Sequence, residues 1–92
     1  MYRVLLREFI RYVLEHRNDY LANVRNASVV KITTRDFTRF LGGMRGGYRV
    51  SAYSVSGMMG RIEEVLEEFK RAGRITGYEC GKSRMKRCLI YL

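Results

Sequence analysis

Hydrophobic residues recur at intervals of three and four in two long stretches of the chain, and this spacing predicts two amphipathic helices. The first stretch, residues 2–16, carries a broad apolar band opposite a row of arginines at positions 3, 7 and 11. The second, residues 51–73, ends at Gly73, where glycine favours a helix end. Its apolar stripe consists of Val55, Met58, Met59, Ile62, Val65, Leu66 and Phe69.

The region between these two helices contains shorter signals. Residues 17–28 are ambiguous, since they either extend the first helix to about Asn26 or hold a second turn that starts at Asp19. The β-branched residues 29–32 predict a short strand. A short helix is expected over residues 35–41, with Thr34 as its N-cap and the pair Gly42 and Gly43 at its end.

Two β-rich segments, RITGYEC and CLIYL, flank the loop GKSRMKR and predict a hairpin. If Cys80 lies opposite Cys88, alternation divides the side chains between two faces. One face then carries Tyr78, Cys80, Cys88, Ile90 and Leu92, and the other carries Ile75, Leu89 and Tyr91. We expect the second face to cover the helices. The fold class is therefore α+β, with three helices, a short strand and a hairpin in one domain over residues 1–92.

The two cysteines leave two possibilities open. They do not have the close spacing of a zinc site, but opposed cysteines of a hairpin can form a disulfide. The chain has no Gln, only three Asn and much Arg, which suggests a heat-adapted source in which intracellular disulfides occur, although the lack of Pro argues against one. A Cys80–Cys88 disulfide and two buried free thiols therefore both remain possible.

Catalytic chemistry finds no support in the sequence. The single histidine, His16, has no recognisable nucleophile or carboxylate companion, and we expect it at the surface. The repeated Gly-Gly pairs in residues 42–50 match neither the P-loop nor the dinucleotide pattern. We expect no enzyme activity, no cofactor and no metal, and we interpret the glycine-rich segment as a flexible connector that offers Arg45 and Arg49 to phosphates.

The net charge of +9 is distributed unevenly. Residues 27–60 carry five basic and one acidic side chains, residues 80–92 carry four basic and none acidic, and residues 61–79 carry four basic and five acidic. The positive charge thus brackets the second long helix, a pattern that favours a phosphate backbone as the partner. We interpret the arginine row of residues 2–16 and the four glutamates at positions 63, 64, 67 and 68 as solvated faces.

The leading half of the second long helix is compact, polar and free of acid before Glu63. Such a helix end can approach a polyanion, because helix N-termini direct free N–H groups at phosphates. We interpret it as a recognition helix that enters a nucleic-acid groove, and an ordinary surface helix with a serine-rich start is the alternative. The hairpin loop is either a solvated turn or a tip that holds phosphates.

The order of elements, together with VSGMMGRIEEVLEEFKRAGRITGYEC running into a basic hairpin, resembles the winged-helix variety of helix-turn-helix domain. The resemblance covers residues 5–92 and is to small transcription regulators of archaea and their viruses. It implies DNA binding, with the third helix in the major groove and the wing on the backbone or minor groove. The long glycine-rich connector departs from the tight turn of many relatives.

The resemblance also implies individual contacts. The groove-facing residues would be Ser51, Tyr53, Ser54, Ser56 and Arg61, with Arg61 reading a guanine edge. The wing contacts would be Lys82, Ser83, Arg84, Lys86 and Arg87. The expected function is therefore that of a small transcriptional regulator that binds double-stranded DNA by inserting helix 51–73. The alternative is a winged-helix module that binds protein or RNA in a replication, transcription or ribosomal assembly.

The apolar band on residues 2–16 is wider than one packing seam requires, and it suggests a homodimer interface. The band consists of Leu5, Leu6, Phe9, Ile10, Val13 and Leu14. No apolar run is long enough to cross a bilayer and no signal-peptide pattern is present, so we expect a cytoplasmic protein without a membrane partner or a small-molecule ligand.

Overall fold

A computed structural model describes residues 2–23, 25–43, 52–81 and 86–92, and it confirms an α+β fold. The helices are α1 (Tyr2–Glu15), α2 (Thr34–Gly42), α3 (Ala52–Met59) and α4 (Ile62–Arg71). A 3-10 turn (Arg17–Asp19) follows α1. The strands are β1 (Leu21–Asn23), β2 (Asn26–Thr33), β3 (Gly77–Cys80) and β4 (Arg87–Tyr91).

The four strands form one antiparallel sheet in the order β1-β2-β4-β3. In β4, Ile90 pairs with Val30 of β2, and Cys88 pairs with Ile32. These four side chains are buried against the helices. Leu89 pairs instead with Lys31 and lies on the outer face of the sheet.

The prediction that Leu89 and Tyr91 cover the helices is therefore wrong. Both faces of the hairpin carry apolar residues, so the hairpin sequence alone does not show which face covers the helices. The neighbouring strand decides, because β2 alternates buried Val30 and Ile32 with exposed Lys31. Ile75 is buried as expected, since it precedes β3 in the connection from α4.

The core consists of one cluster between the helices and the inner face of the sheet. The apolar band of α1 belongs to it, because Leu5, Leu6, Phe9, Ile10 and Val13 are all buried within this chain. The width of the band therefore reflects packing against the chain's own elements. The large apolar side chains of α1 that stay exposed are Val4 and Tyr12, which are 56% and 39% accessible.

The ends of the helices depart from the predicted ones in two places. Helix α1 ends at Glu15 and does not continue to Asn26, because residues 21–23 pair with β2 instead. Helix α2 is capped by Thr33, one residue before the predicted Thr34. The Thr33 hydroxyl accepts from the Asp36 N–H at 3.2 Å, and the Asp36 carboxylate accepts from the Thr33 N–H at 2.9 Å. This reciprocal pair is a capping box.

Candidate nucleic-acid interface

The predicted helix 51–73 is two helices, and this corrects the central expectation from the sequence. Helix α3 ends at Met59, and α4 begins at Ile62. At the junction, the Gly60 N–H binds the Ser56 carbonyl at 3.0 Å, but the Arg61 N–H binds the carbonyl of Met58, three residues back, at 2.9 Å. This shorter hydrogen-bond spacing tightens the chain into a turn.

Glycine accounts for the position of the break. Gly57 and Gly60 lie within four residues of each other, and glycine is the weakest helix former after proline. The apolar stripe nevertheless continues across the turn, since Val55, Met59 and Ile62 are all buried. The predicted end at Gly73 is confirmed: it has φ of +75°, and the Arg74 N–H reaches back to the Phe69 carbonyl at 2.9 Å.

A shallow groove lies between the start of α1 and the outer side of α3. The described residues that line it are Tyr2, Ser54, Gly57, Met58 and Arg61. The last four are spaced as one face of a helix, so the break at Gly60 does not separate Ser54 from Arg61. Ser56 is exposed but does not line this groove.

Arg61 is held at the mouth of the groove by α1. Its guanidinium carbon lies 5.2 Å from the centre of the Tyr2 ring, and its Nη1 lies 3.4 Å from the Tyr2 hydroxyl. Glu64 adds a weak ion pair at 3.6 Å. The Arg61 side chain is still 60% exposed, so it is positioned without being enclosed. Sequence reasoning missed Tyr2, because helical periodicity does not relate residues 59 positions apart.

Two glutamates of α4 bind arginines of α1. Arg7 donates from Nε and Nη2 to the two carboxylate oxygens of Glu68, at 2.8 and 3.0 Å. These hydrogen bonds lower the pKa of Glu68 and raise the pKa of Arg7. Arg3 donates to Glu64 at 3.2 Å. The arginine row thus remains partly solvated, but Arg3 and Arg7 also bind glutamates of α4, which the sequence did not predict.

The other two glutamates of α4 bind the hairpin. The Lys86 Nζ lies 2.9 Å from Glu63 Oε1, and the Tyr78 hydroxyl donates to Glu67 at 2.8 Å. The hydrogen bond to Glu67 raises the pKa of Tyr78. All four glutamates thus connect α4 to α1 on one side and to the hairpin on the other. They stay partly solvated, as the sequence suggested, but each also binds a side chain of another element.

The hairpin is closed by a disulfide between Cys80 and Cys88, which settles the alternatives left by the sequence. The two residues pair across β3 and β4. Just before β4, the Lys86 carbonyl accepts from the Thr34 N–H at 3.2 Å. The Lys86 side chain is only 22% exposed, because it lies against Glu63. The loop end of the hairpin is therefore fixed to the starts of both α2 and α4.

Among the remaining predicted contacts, the side chain that the structure describes is that of Arg87, and it is not brought together with these. Arg87 is exposed and pairs with Thr33, on the sheet face that points away from the helices. Tyr53 lies in α3, but its side chain is outside the described part of the chain. The predictions for Arg45, Arg49, Ser51, Lys82, Ser83 and Arg84 fall on residues that the structure does not describe.

The described residues hold neither a metal site nor a membrane-spanning helix. Residues 2–23, 25–43, 52–81 and 86–92 contain no group of three or more His, Cys, Asp or Glu side chains that could hold a metal ion. Within the same segments, none of the helices combines the length and the apolar composition needed to cross a bilayer.

The chain was compared with known proteins in three ways. No family model matches it, and no curated protein and no solved structure gives a significant match. Support for a nucleic-acid interface therefore comes from the geometry and charge of this chain alone.

Proposed function

We propose that this chain is a DNA-binding protein of the winged-helix type that acts as a small transcriptional regulator. The order of helix, strand, helix, helix and hairpin supports this proposal, as does a sheet in which β4 of the hairpin pairs with β2. Two features depart from the expected pattern, namely the extra edge strand β1 and the break between α3 and α4. The net charge of +9 suits a phosphate backbone.

The ion pair between Lys86 and Glu63 is the observation that carries the proposal. It holds the loop end of the basic hairpin, at Lys86, against the first turn of α4. Arg61 lies two residues before Glu63, on the side of α4 that meets α1. Two basic side chains therefore flank the N-terminus of α4, and each is paired with a glutamate of its first turn, Arg61 with Glu64 and Lys86 with Glu63. A DNA backbone running across this end of α4 would meet both.

The break changes which segment would enter the major groove. Helix α4 is unsuited to insertion, because its apolar side is buried and its glutamates bind α1 and the hairpin. Helix α3 and Arg61 are the better candidates, since Ser54, Gly57 and Arg61 share an accessible groove. Arg61 would read a guanine edge, because a guanidinium can bind O6 and N7 together.

The test begins with selection of bound sequences from a random duplex pool, followed by fluorescence anisotropy on the selected duplex and on a scrambled one. Arg61→Ala should weaken the selected duplex by about tenfold and the scrambled one much less. Lys82→Ala should weaken both alike and reduce the slope of log affinity against log salt by about one. Lys70→Ala is the matched control, because Lys70 is exposed at the far end of α4. Equal losses from Arg61→Ala on both duplexes would contradict the proposed division of roles.

Absence of any complex with random duplex at micromolar protein and low salt would favour the alternative, a module that binds protein or RNA. An apolar band as wide as that on α1 would suit a protein partner or a homodimer if it were accessible. Because the band is buried within this chain, it no longer supports either. Sedimentation of the free protein and of its duplex complex would measure the number of copies directly.

A further inference from the structure

A second concave site lies at the other end of α1, away from the candidate DNA interface. It is a half-open cleft of about 310 Å³, and the described residues that line it are Tyr12, Tyr20, Arg39, Phe40 and Gly43. Tyr12 follows Tyr2 by ten residues, which corresponds to about 15 Å along the helix axis. The cleft is therefore separate from the groove at Arg61.

Aromatic rings form the walls of this cleft. The centre of the Tyr12 ring lies 5.4 Å from that of Phe40 and 6.4 Å from that of Tyr20, which stands nearly perpendicular to it at 81°. His16 stacks on Tyr12 at 4.2 Å and 28°, so one face of the Tyr12 ring is already covered within the chain. Tyr12 is 39% exposed, an unusual position for a tyrosine that belongs to an aromatic cluster.

The polar side-chain groups that line the cleft are the hydroxyls of Tyr12 and Tyr20 and the guanidinium of Arg39. Arg39 is exposed at the rim, and among the described residues no carboxylate lies within ion-pair distance of it. The Tyr20 hydroxyl is a neutral donor at neutral pH, as tyrosine ordinarily is, and burial raises the pKa of Tyr20 further. The combination of flat apolar walls, a hydroxyl donor and a guanidinium fits a flat heteroaromatic ring that carries a phosphate.

We propose that this cleft binds a nucleotide, with the base against Tyr12 and Phe40 and the phosphate at Arg39. The ligand is either a free mononucleotide or an unpaired base of a single strand, since both present the same chemistry. Duplex DNA is excluded from the cleft, because its bases are stacked and their faces are not available. The inference is independent of duplex binding at Arg61, and either can fail without the other.

The test uses four probes with the full chain: adenosine 5′-monophosphate, adenosine, inorganic phosphate and a fluorescein-labelled strand of ten thymidines. Calorimetry measures the first three, and anisotropy measures the fourth. The monophosphate should bind more tightly than adenosine, and phosphate alone should not compete. A strand that binds at least tenfold more tightly than the monophosphate identifies the single strand as the source of the base, and similar affinities identify the free nucleotide. Failure of both the monophosphate and the strand to bind at millimolar concentration would overturn the proposal.

Single substitutions test whether the nucleotide binds in this cleft. Tyr12→Leu should weaken the monophosphate by about tenfold, while Tyr12→Phe keeps the ring and should retain binding. Arg39→Gln should weaken the monophosphate several-fold and leave adenosine unchanged. Arg35→Gln on the same helix and Tyr91→Leu on the outer face of the sheet are matched controls, because neither residue lines the cleft. Binding that the controls reduce as much as Tyr12→Leu and Arg39→Gln do would overturn the assignment.

Discussion

Gly57→Ala should stabilise the fold, although glycine at this position is part of the candidate interface. Gly57 lies inside α3 with an ordinary helical backbone, and a Cβ built there meets no atom within 4 Å. The substitution therefore adds helix propensity without a clash. The expected increase in the free energy of unfolding is about 0.5–1 kcal/mol. For a domain of this size, that corresponds to a rise in Tm of about 3–6 °C.

The matched control is Gly73→Ala, because the same methyl group is added to a glycine in the opposite conformation. A Cβ at Gly73 also meets nothing within 4 Å, but φ is +75°. An alanine there is strained, and we expect a loss of about 1 kcal/mol. Urea denaturation of both variants measures the two effects. A destabilised Gly57→Ala, or a Gly73→Ala without cost, would refute the reasoning from backbone conformation.

The same Gly57→Ala variant also probes the interface. Gly57 lies beside Ser54 and Arg61 in the groove, so an added methyl group would obstruct close approach of a duplex. We expect a several-fold weaker duplex complex from a protein that is more stable. If stability increases and duplex affinity stays unchanged, Gly57 does not contact DNA, and the stability argument still holds.

Three further changes have defined outcomes. Reducing the bridge between Cys80 and Cys88, which encloses a loop with a sequence separation of 8, should lower the free energy of unfolding by about 2.5 kcal/mol in urea titrations, and a double alanine variant should not respond to the reductant. The lowered pKa of Glu68 means that its contribution to stability is fully present above the unfolded-state pKa of about 4.3 and is lost as the pH falls through the folded-state pKa. Glu68→Gln should therefore flatten the acid-induced loss of stability followed by circular dichroism, and an unchanged acid profile would contradict this. Glu63→Gln removes an acidic charge beside Lys86 while the Thr34 N–H still holds the Lys86 backbone, so complexes with every duplex should strengthen several-fold at low salt. An unchanged affinity would show that this end of α4 lies outside the interface.

Helix α1, the hairpin pairing and the end of α4 could be predicted because each depends on neighbours in the sequence. The break at Gly60 could not be derived from the apolar stripe, since Val55, Met59 and Ile62 stay buried on both sides of the turn. Gly57 and Gly60 were the signal in the sequence for a break, but the continuous apolar periodicity favoured a single helix. Propensity is a weak guide when packing supports the alternative.

The partners of the charged residues were harder to predict from the sequence than the helices and strands. Arg61 is accessible, as its proposed role requires, but Tyr2 beneath it lies 59 positions away in the chain. Arg7 and Glu68 are 61 positions apart, so nothing local indicated that they form a bidentate pair. Periodicity shows which face of a helix is polar, but only the packing of α1 against α4 shows which charges on that face meet.

The place of β4 in the sheet has a consequence for how the chain acquires its structure. It lies between β2 and β3, and its pairing with β2 joins residues as far apart as Val29 and Tyr91. During synthesis, β2 therefore waits with an open edge until residue 91 has left the ribosome. Closing so long a stretch of chain makes folding slower than helix formation alone would allow. Until then, the backbone N–H and C=O groups of β2 that will pair with β4 are open to other strands, and a chaperone that shields this edge would improve the yield of folded protein.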